Sequence, residues 1–350
     1  MPSPAHHCTV PRTSRHSSQA PRWVWAARGK RSPRLGAVQP AWGISGRASN
    51  HSSRSWIDMY GNLLLWIETQ VCAVLHHGFM DPILTPDQIR SYFLEGWLSL
   101  PAISDEEELA RLRVVYDDLF ARRAGRDTGD QFDLAGDDAD PTRARMPQIL
   151  NPQRYAPELA ETRLWRNAVR IAEALFGQAP HSFGAHAICK PAGSPQETPW
   201  HQDEPYWGGG YDYQGLSIWI PLQDVDAHSG CMSFIPRSHW GEILPHRPIG
   251  NDDRVHGLEL DCPLPAEMAP VCVPLKAGGC TIHHARSLHY TGPNRAAVPR
   301  RALILMAGLQ PAKRVVPKVQ PWLDRQKTKR AQRAAAYATT HGDAPKPPTG

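Results

Sequence analysis

From Thr85 onward the apolar positions recur first with helical spacing and then in short alternating runs. Thr85-Pro86-Asp87-Gln88 has the form of a capping box with Pro at the first helical position, and Ile89, Phe93 and Leu94 continue it as a stripe that Gly96 ends. Trp97-Leu98-Ser99-Leu100 alternates as a short strand. Ser104 with Glu107 predicts the start of a second helix, whose inward stripe is Leu109, Leu112, Tyr116 and Leu119. Residues 121–145 are rich in Asp and Arg and read as a loop or lid. A third helix is predicted from Pro157 to Phe176, with Leu164, Ala168, Ile171 and Leu175 inward and Gly177 as its stop.

After Gly177 the pattern changes to short apolar runs separated by Gly, Pro and Asn: Ser182–Cys189, Gly215–Leu222, Cys231–Ile235, Val271–Leu275, Gly279–His283 and Ala302–Ala307. Helices followed by many short strands predict a mainly β domain with flanking helices, a sandwich or jelly roll, over residues 80–312. Residues 313–350 are basic and rich in Pro and Ala. They read as a flexible tail with a helix through Leu323–Tyr337. Residues 1–79 have no usable periodicity and read as a disordered extension. Their Arg- and Ser-rich, acid-poor composition also suits a transit peptide, and Met80 suits a true start downstream of a wrongly chosen one.

Composition changes this picture little. The net charge is +5, but the basic residues Arg12 through Arg54 face only Asp58 and Glu68 before residue 80. The excess therefore belongs to the extension, and the main domain gives no reason to expect nucleic-acid binding. The seven cysteines are scattered, odd in number and form no C-x-x-C pair, which predicts a reduced, cytoplasmic protein. No apolar run is long enough to span a membrane; Leu63–Leu75 comes nearest and is interrupted by Glu68 and Gln70. Oligomeric state is not legible.

The chemistry lies in His201-Gln202-Asp203 and, far downstream, His289-Tyr290-Thr291-Gly292-Pro293-Asn294 followed by Arg300-Arg301. A His and an Asp two apart on a strand point to one side. A distant second His completes two imidazoles and a carboxylate, which leaves adjacent positions open on a metal, as in non-haem Fe(II) oxygenases. An H-x-D pair alone is also what a surface His beside a solvated acid looks like. His283 and His284 compete with His289 for the distal place, and Arg301 with Arg300; in a strand only one of that pair faces inward.

Four ordered blocks resemble the phytanoyl-CoA dioxygenase (PhyH) family: Lys190–Asp203, Trp219–Asp224, Gly230–His239 and His289–Arg300. The resemblance covers roughly residues 80 to 310. It implies a double-stranded β-helix of cupin-like type and an oxygenase using Fe(II), 2-oxoglutarate and O2. His201, Asp203 and His289 match the family's metal ligands. Arg300 matches the Arg that takes the far carboxylate of 2-oxoglutarate, bidentately as a guanidinium can. Thr291 stands where the family usually has Ser on that carboxylate. Trp219 and His186 fall where it has co-substrate contacts, and Arg145 falls loosely near an upstream basic contact. Trp219 equally suits plain core packing.

Tyr290 departs from the Gly that commonly follows the distal His, and a phenol there is expected to narrow the pocket or bond the substrate. The expected reaction is hydroxylation of an aliphatic C–H of a small-molecule metabolite, with succinate and CO2 released. The alternatives are a non-catalytic metal- or small-molecule-binding jelly roll and a cupin-type enzyme without 2-oxoglutarate.

Overall fold

The computed structural model describes residues 83–341. The expectations for residues 1–79 and for Met80 lie outside them. In chain order the elements are α1 (Pro86–Glu95), β1 (Trp97–Leu100), α2 (Glu106–Ala121), β2 (Gln131–Asp133), β3 (Pro147–Leu150), α3 (Arg163–Phe176), β4 (Ser182–Lys190), β5 (Thr198–His201), β6 (Tyr211–Asp212), β7 (Gly215–Pro221), β8 (Met232–Phe234), β9 (His246–Pro248), β10 (Leu258–Leu260), β11 (Val271–Val273), β12 (Cys280–His284), β13 (His289–Thr291), β14 (Arg300–Gly308), β15 (Ala312–Lys313), α4 (Pro321–Arg325) and α5 (Lys329–His341).

Local chemistry accounts for the helix ends. Thr85 and Gln88 make both bonds of the capping box, and Gly96 closes α1 at φ 80°, a left-handed conformation that suits glycine. The cap of α2 is Asp105 rather than the expected Ser104. The Asp carboxylate accepts from the Glu108 N–H, while Ser104 turns its hydroxyl to the Glu108 side chain. The third helix starts later than Pro157, because residues Pro157–Glu161 form a 3-10 turn and Thr162 caps α3.

Two antiparallel sheets carry the fold. One runs β1-β12-β7-β14-β4-β3-β2, the other β11-β8-β13-β5. On the large sheet, side chains alternate between two environments. Ala185, Ala187, Leu216, Ile218, Leu303 and Leu305 face the core that the helices cover, together with Leu109, Leu112, Leu164 and Ile171. The opposite positions, including Trp219, Ala302 and Ile304, face Met232, Phe234 and Val273 of the small sheet. The expected jelly-roll class is what this layering builds.

Two segments differ from expectation. Residues 121–145 are not a free lid: β2 joins the edge of the large sheet, and Phe132, Leu134 and Met146 are buried there. Their charges are spent internally, as where Arg126 bonds Asp138. The tail expected to be flexible is helical at α4 and α5 through His341. Trp322 is buried, its Nε1 donating to Pro205 O at 3.1 Å, and Arg333 pairs with Asp138. Lone apolar and basic residues in a polar tail do not announce such docking, since their partners lie far away in sequence.

Candidate metal and co-substrate site

β5 and β13 are neighbours in the small sheet, and His201 and His289 are direct cross-strand partners. Register alone therefore sets the two imidazoles side by side, with ring centroids 4.1 Å apart. Asp203 arrives differently from expectation. β5 ends at His201, and Asp203 has helical backbone (φ −80°, ψ −40°) at the head of the Glu204–Tyr206 turn. The turn, rather than strand pleating, brings the carboxylate beside the imidazoles. Ala285 O holds it by accepting from the N–H groups of Asp203 and Glu204 at 2.9 and 3.1 Å. The Glu204–Arg286 ion pair, at 2.6 Å, ties the same turn to the segment before β13.

Ligand atoms of His201, Asp203 and His289 all lie within 4.8 Å of one another. His201 Nδ1 lies 2.7 Å from Pro199 O, and His289 Nδ1 lies 2.9 Å from Ser287 O. A carbonyl only accepts, so each Nδ1 carries the proton and each Nε2 presents its lone pair. Those Nε2 atoms face Asp203 Oδ1 at 3.9 and 3.5 Å. Asp203 Oδ2 is already engaged, accepting from Ser217 Oγ at 2.7 Å and lying 3.3 Å from His283 Nε2. One carboxylate oxygen is thus anchored and the other is offered with two imidazole nitrogens.

Burial pushes the proton affinity of both His201 and His289 down, which keeps them neutral. Burial acts the other way on Asp203, but the imidazoles of His289, His283 and His201 outweigh it and hold its carboxyl well below the usual carboxylate range. Two neutral imidazoles and an anionic carboxylate fit a divalent iron. His283 therefore stands behind Asp203, and His284 packs against His239 (centroids 5.5 Å apart) instead.

Among the described residues Arg300 is the largest fully buried side chain, and its Nε and Nη1 have no hydrogen-bond partner. Its guanidinium lies 5.3 Å from the centre of the Trp219 ring, so Trp219 is both core and platform. Burial lowers the Arg300 pKa to about 10, still charged at neutral pH. Arg301, one residue on, faces outward and pairs with Asp117 at 2.6 Å, which resolves the Arg300/Arg301 ambiguity.

Beside Arg300 across the β14–β4 ladder is a second buried basic side chain, Lys190, to which sequence reasoning gave no role. Its Nζ donates to Thr291 Oγ1 at 2.7 Å, Gly292 O at 2.7 Å and Thr291 O at 3.1 Å. The Thr291 hydroxyl in turn donates to Thr198 Oγ1 at 2.9 Å. A single Lys ending an apolar strand was the available signal. Neither side chain makes an ion pair with a described carboxylate, and burial, with Arg300 beside it, pushes the Lys190 pKa well below its usual value. An unpaired buried charge costs several kcal/mol, so the Arg300 guanidinium favours an anion beside it.

Three expected participants sit elsewhere or play other parts. His186 aligns with Ile304, which aligns with Trp219, so it shares the inward row; its Nδ1 lies 3.3 Å from Gln148 Nε2. Tyr290 does not share the row of His289 and Thr291. Alternation along β13 turns it outward, where it stacks on Trp200 at 5.3 Å and donates to Glu197 at 2.7 Å. Arg145 lines a cavity with Asp137, Asp140 and Asp252, none of them in the metal cluster.

Residues 92–302 match the family model described as phytanoyl-CoA dioxygenase (PhyH). The chain belongs to the phytanoyl-CoA dioxygenase family. Among solved structures it resembles EvdO2 from Micromonospora carbonacea var. aurantiaca, with 38% identity and a TM-score of 0.60 over 70% of this chain and 97% of that one. The same protein complexed with 2-oxoglutarate matches at 34% identity and a TM-score of 0.59. A probable alpha-ketoglutarate-dependent hypophosphite dioxygenase of Stutzerimonas stutzeri is 25% identical over 230 residues, 63% of this chain and 77% of that protein. This PhyH-family chain is an Fe(II)- and 2-oxoglutarate-dependent oxygenase acting on small molecules, and the non-catalytic and cupin-type alternatives fall away. Among the described residues no helix is long and apolar enough to cross a membrane.

Proposed function

We propose that His201, Asp203 and His289 hold the iron, and that Arg300 on its Trp219 platform takes the far carboxylate of 2-oxoglutarate. In this reading the enzyme hydroxylates an aliphatic C–H of a small metabolite, releasing succinate and CO2, in the cytoplasm. The observation that carries it is the buried Arg300 guanidinium with two donors lacking acceptors.

When bound, the iron activates O2 for oxidation of a C–H bond. The protein's own groups do the rest. Arg300 orients the co-substrate with a fork that matches a carboxylate. Lys190 holds Thr291 and Gly292, which border the same pocket. Ser217 and His283 keep Asp203 ionised and correctly turned. The presence of Asp203 supports hydroxylation over halogenation, which requires a free ligand position for halide in place of a carboxylate.

The test is succinate release by purified protein given Fe(II), 2-oxoglutarate and O2. Arg300→Ala is expected to lose succinate formation at least 100-fold, about the worth of a buried charged contact, while still binding metal. Full turnover by that variant would remove Arg300 from the co-substrate site.

A further inference from the structure

Arg330, on α5 and outside the family-matching residues 92–302, is another incompletely paired cation. Its Nε is buried without a hydrogen-bond partner, and its guanidinium lies 5.1 Å from the centre of the Phe132 ring. The acid that feels it, Asp130, turns its Oδ2 to the Tyr155 hydroxyl at 2.8 Å and to Arg154 at 3.5 Å. Arg333, one turn on, is held instead by Asp138 and the carbonyls of Arg126 and Gln131. One arginine fastens the helix; the other is left over.

The helix is seated firmly enough to aim that residue. A Cβ at Gly129 would stand 2.6 Å from Arg330 O, so only glycine lets α5 approach. Upstream, Gln326 Nε2 donates to His256 O at 2.8 Å and Lys327 N to Asp253 O at 2.7 Å.

A chain of ring contacts links Arg330 to the metal ligands. Phe132 meets His256 edge-on at 4.8 Å, His256 meets Tyr206 at 5.9 Å, and Tyr206 meets His201 edge-on at 6.2 Å. His186, on the row of Trp219, also lies within the field of Arg330 as well as that of Asp203. His186, His256 and Tyr206 lie deep in the fold yet keep part of their surface accessible. Burial, reinforced by the arginine, lowers the pKa of His256 to about 3, and burial is the main cause that lowers His186 to about 4. Both are therefore neutral hydrogen-bonding groups rather than competing cations.

We propose that this wall receives the molecule to be oxidised, and that Arg330 binds an anionic group, a carboxylate or phosphate, of that primary substrate. The inference rests on the oxygenase reading above. A guanidinium suits either oxyanion bidentately, and an anion relieves the cost of leaving it buried and unpaired. In this division Arg300 serves the co-substrate and Arg330 the substrate.

The probe is inorganic phosphate, added to the full-length protein loaded anaerobically with Fe(II) and saturating 2-oxoglutarate so that Arg300 is engaged. Phosphate is expected to raise the wild-type Tm by on the order of 2–4 °C, and Arg330→Gln to lose at least half of that rise. In the unsubstituted protein, phosphate is expected to slow phenylglyoxal labelling of Arg330 severalfold, read by peptide mass spectrometry; this arm stands even if the variant fails to fold. An equal rise in the variant, no rise in the wild type, or unchanged labelling overturns the proposal. Succinate formation by the wild type reports separately on the oxygenase reading. Succinate without a phosphate effect sinks the Arg330 assignment alone, and a phosphate effect without succinate sinks the substrate assignment together with that reading.

Discussion

Asp203 divides its two oxygens between two tasks. Oδ2 is held by Ser217 and His283, so Oδ1 is left to face His289 and His201. Such outer partners fix the orientation and charge of a ligand, and their loss typically costs 10–100-fold in metal affinity or activity. His283→Gln is therefore expected to weaken Fe(II) binding by roughly 10-fold or more, measured by anaerobic titration, with a smaller change in 2-oxoglutarate affinity. Wild-type iron affinity in that variant would demote His283 to packing. The two histidines proposed as metal ligands were legible as candidates because H-x-D stands in company with three further ordered blocks. The roles of His283 and Lys190 were not, because an orienting partner is defined by what it touches across strands.

Strand and turn geometry decide what enters the site. β13 presents His289 and Thr291 inward and Tyr290 outward, so the residue that seemed to narrow the pocket does not share their row. The turn after β13 leans on Gly230, whose φ is 81° and whose added Cβ would stand 2.6 Å from Gly292 O. That same carbonyl accepts from Lys190. Gly230→Ala is expected to destabilise the protein by about 1–3 kcal/mol and to raise the KM for 2-oxoglutarate, because shifting Gly292 disturbs the Lys190 side chain beside Arg300. Thermal unfolding and steady-state kinetics check both; an unchanged Tm with an unchanged KM would contradict this account. Helix stripes and Gly stops were legible in the sequence, since period and cap chemistry are local. β2, β3 and β13 were not, because three- and four-residue strands borrow their stability from neighbours.

The whole molecule buries many neutral histidines. Burial lowers His186, His239 and His246 to about 4 and His256 and His284 to about 3. In the unfolded chain each takes up a proton near pH 6.5, so below that pH the unfolded state binds more protons than the native one. Stability is then fully present above about pH 6.5 and is lost as pH falls toward 4. A tenfold bias against protonation is worth about 1.4 kcal/mol, so several such sites together are expected to lower the Tm by many degrees between about pH 7.5 and 5. A flat Tm across that range would mean that these imidazoles are not buried as described.

The sequence by itself determined the class of the fold and the placement of its main helices and apolar strands, and its ordered blocks marked His201, Asp203, His289 and Arg300 as candidates. Those features rest on local periodicity, cap residues and ordered motif blocks, all of which are written in neighbouring positions. Tertiary structure alone decided that Asp203 comes beside His201 and His289 through a turn, that Lys190 stands beside Arg300, and that the C-terminal helix sets Arg330 over Phe132. Each of these depends on residues brought together from distant parts of the chain, where burial and the absence of a partner, rather than residue type, confer the role.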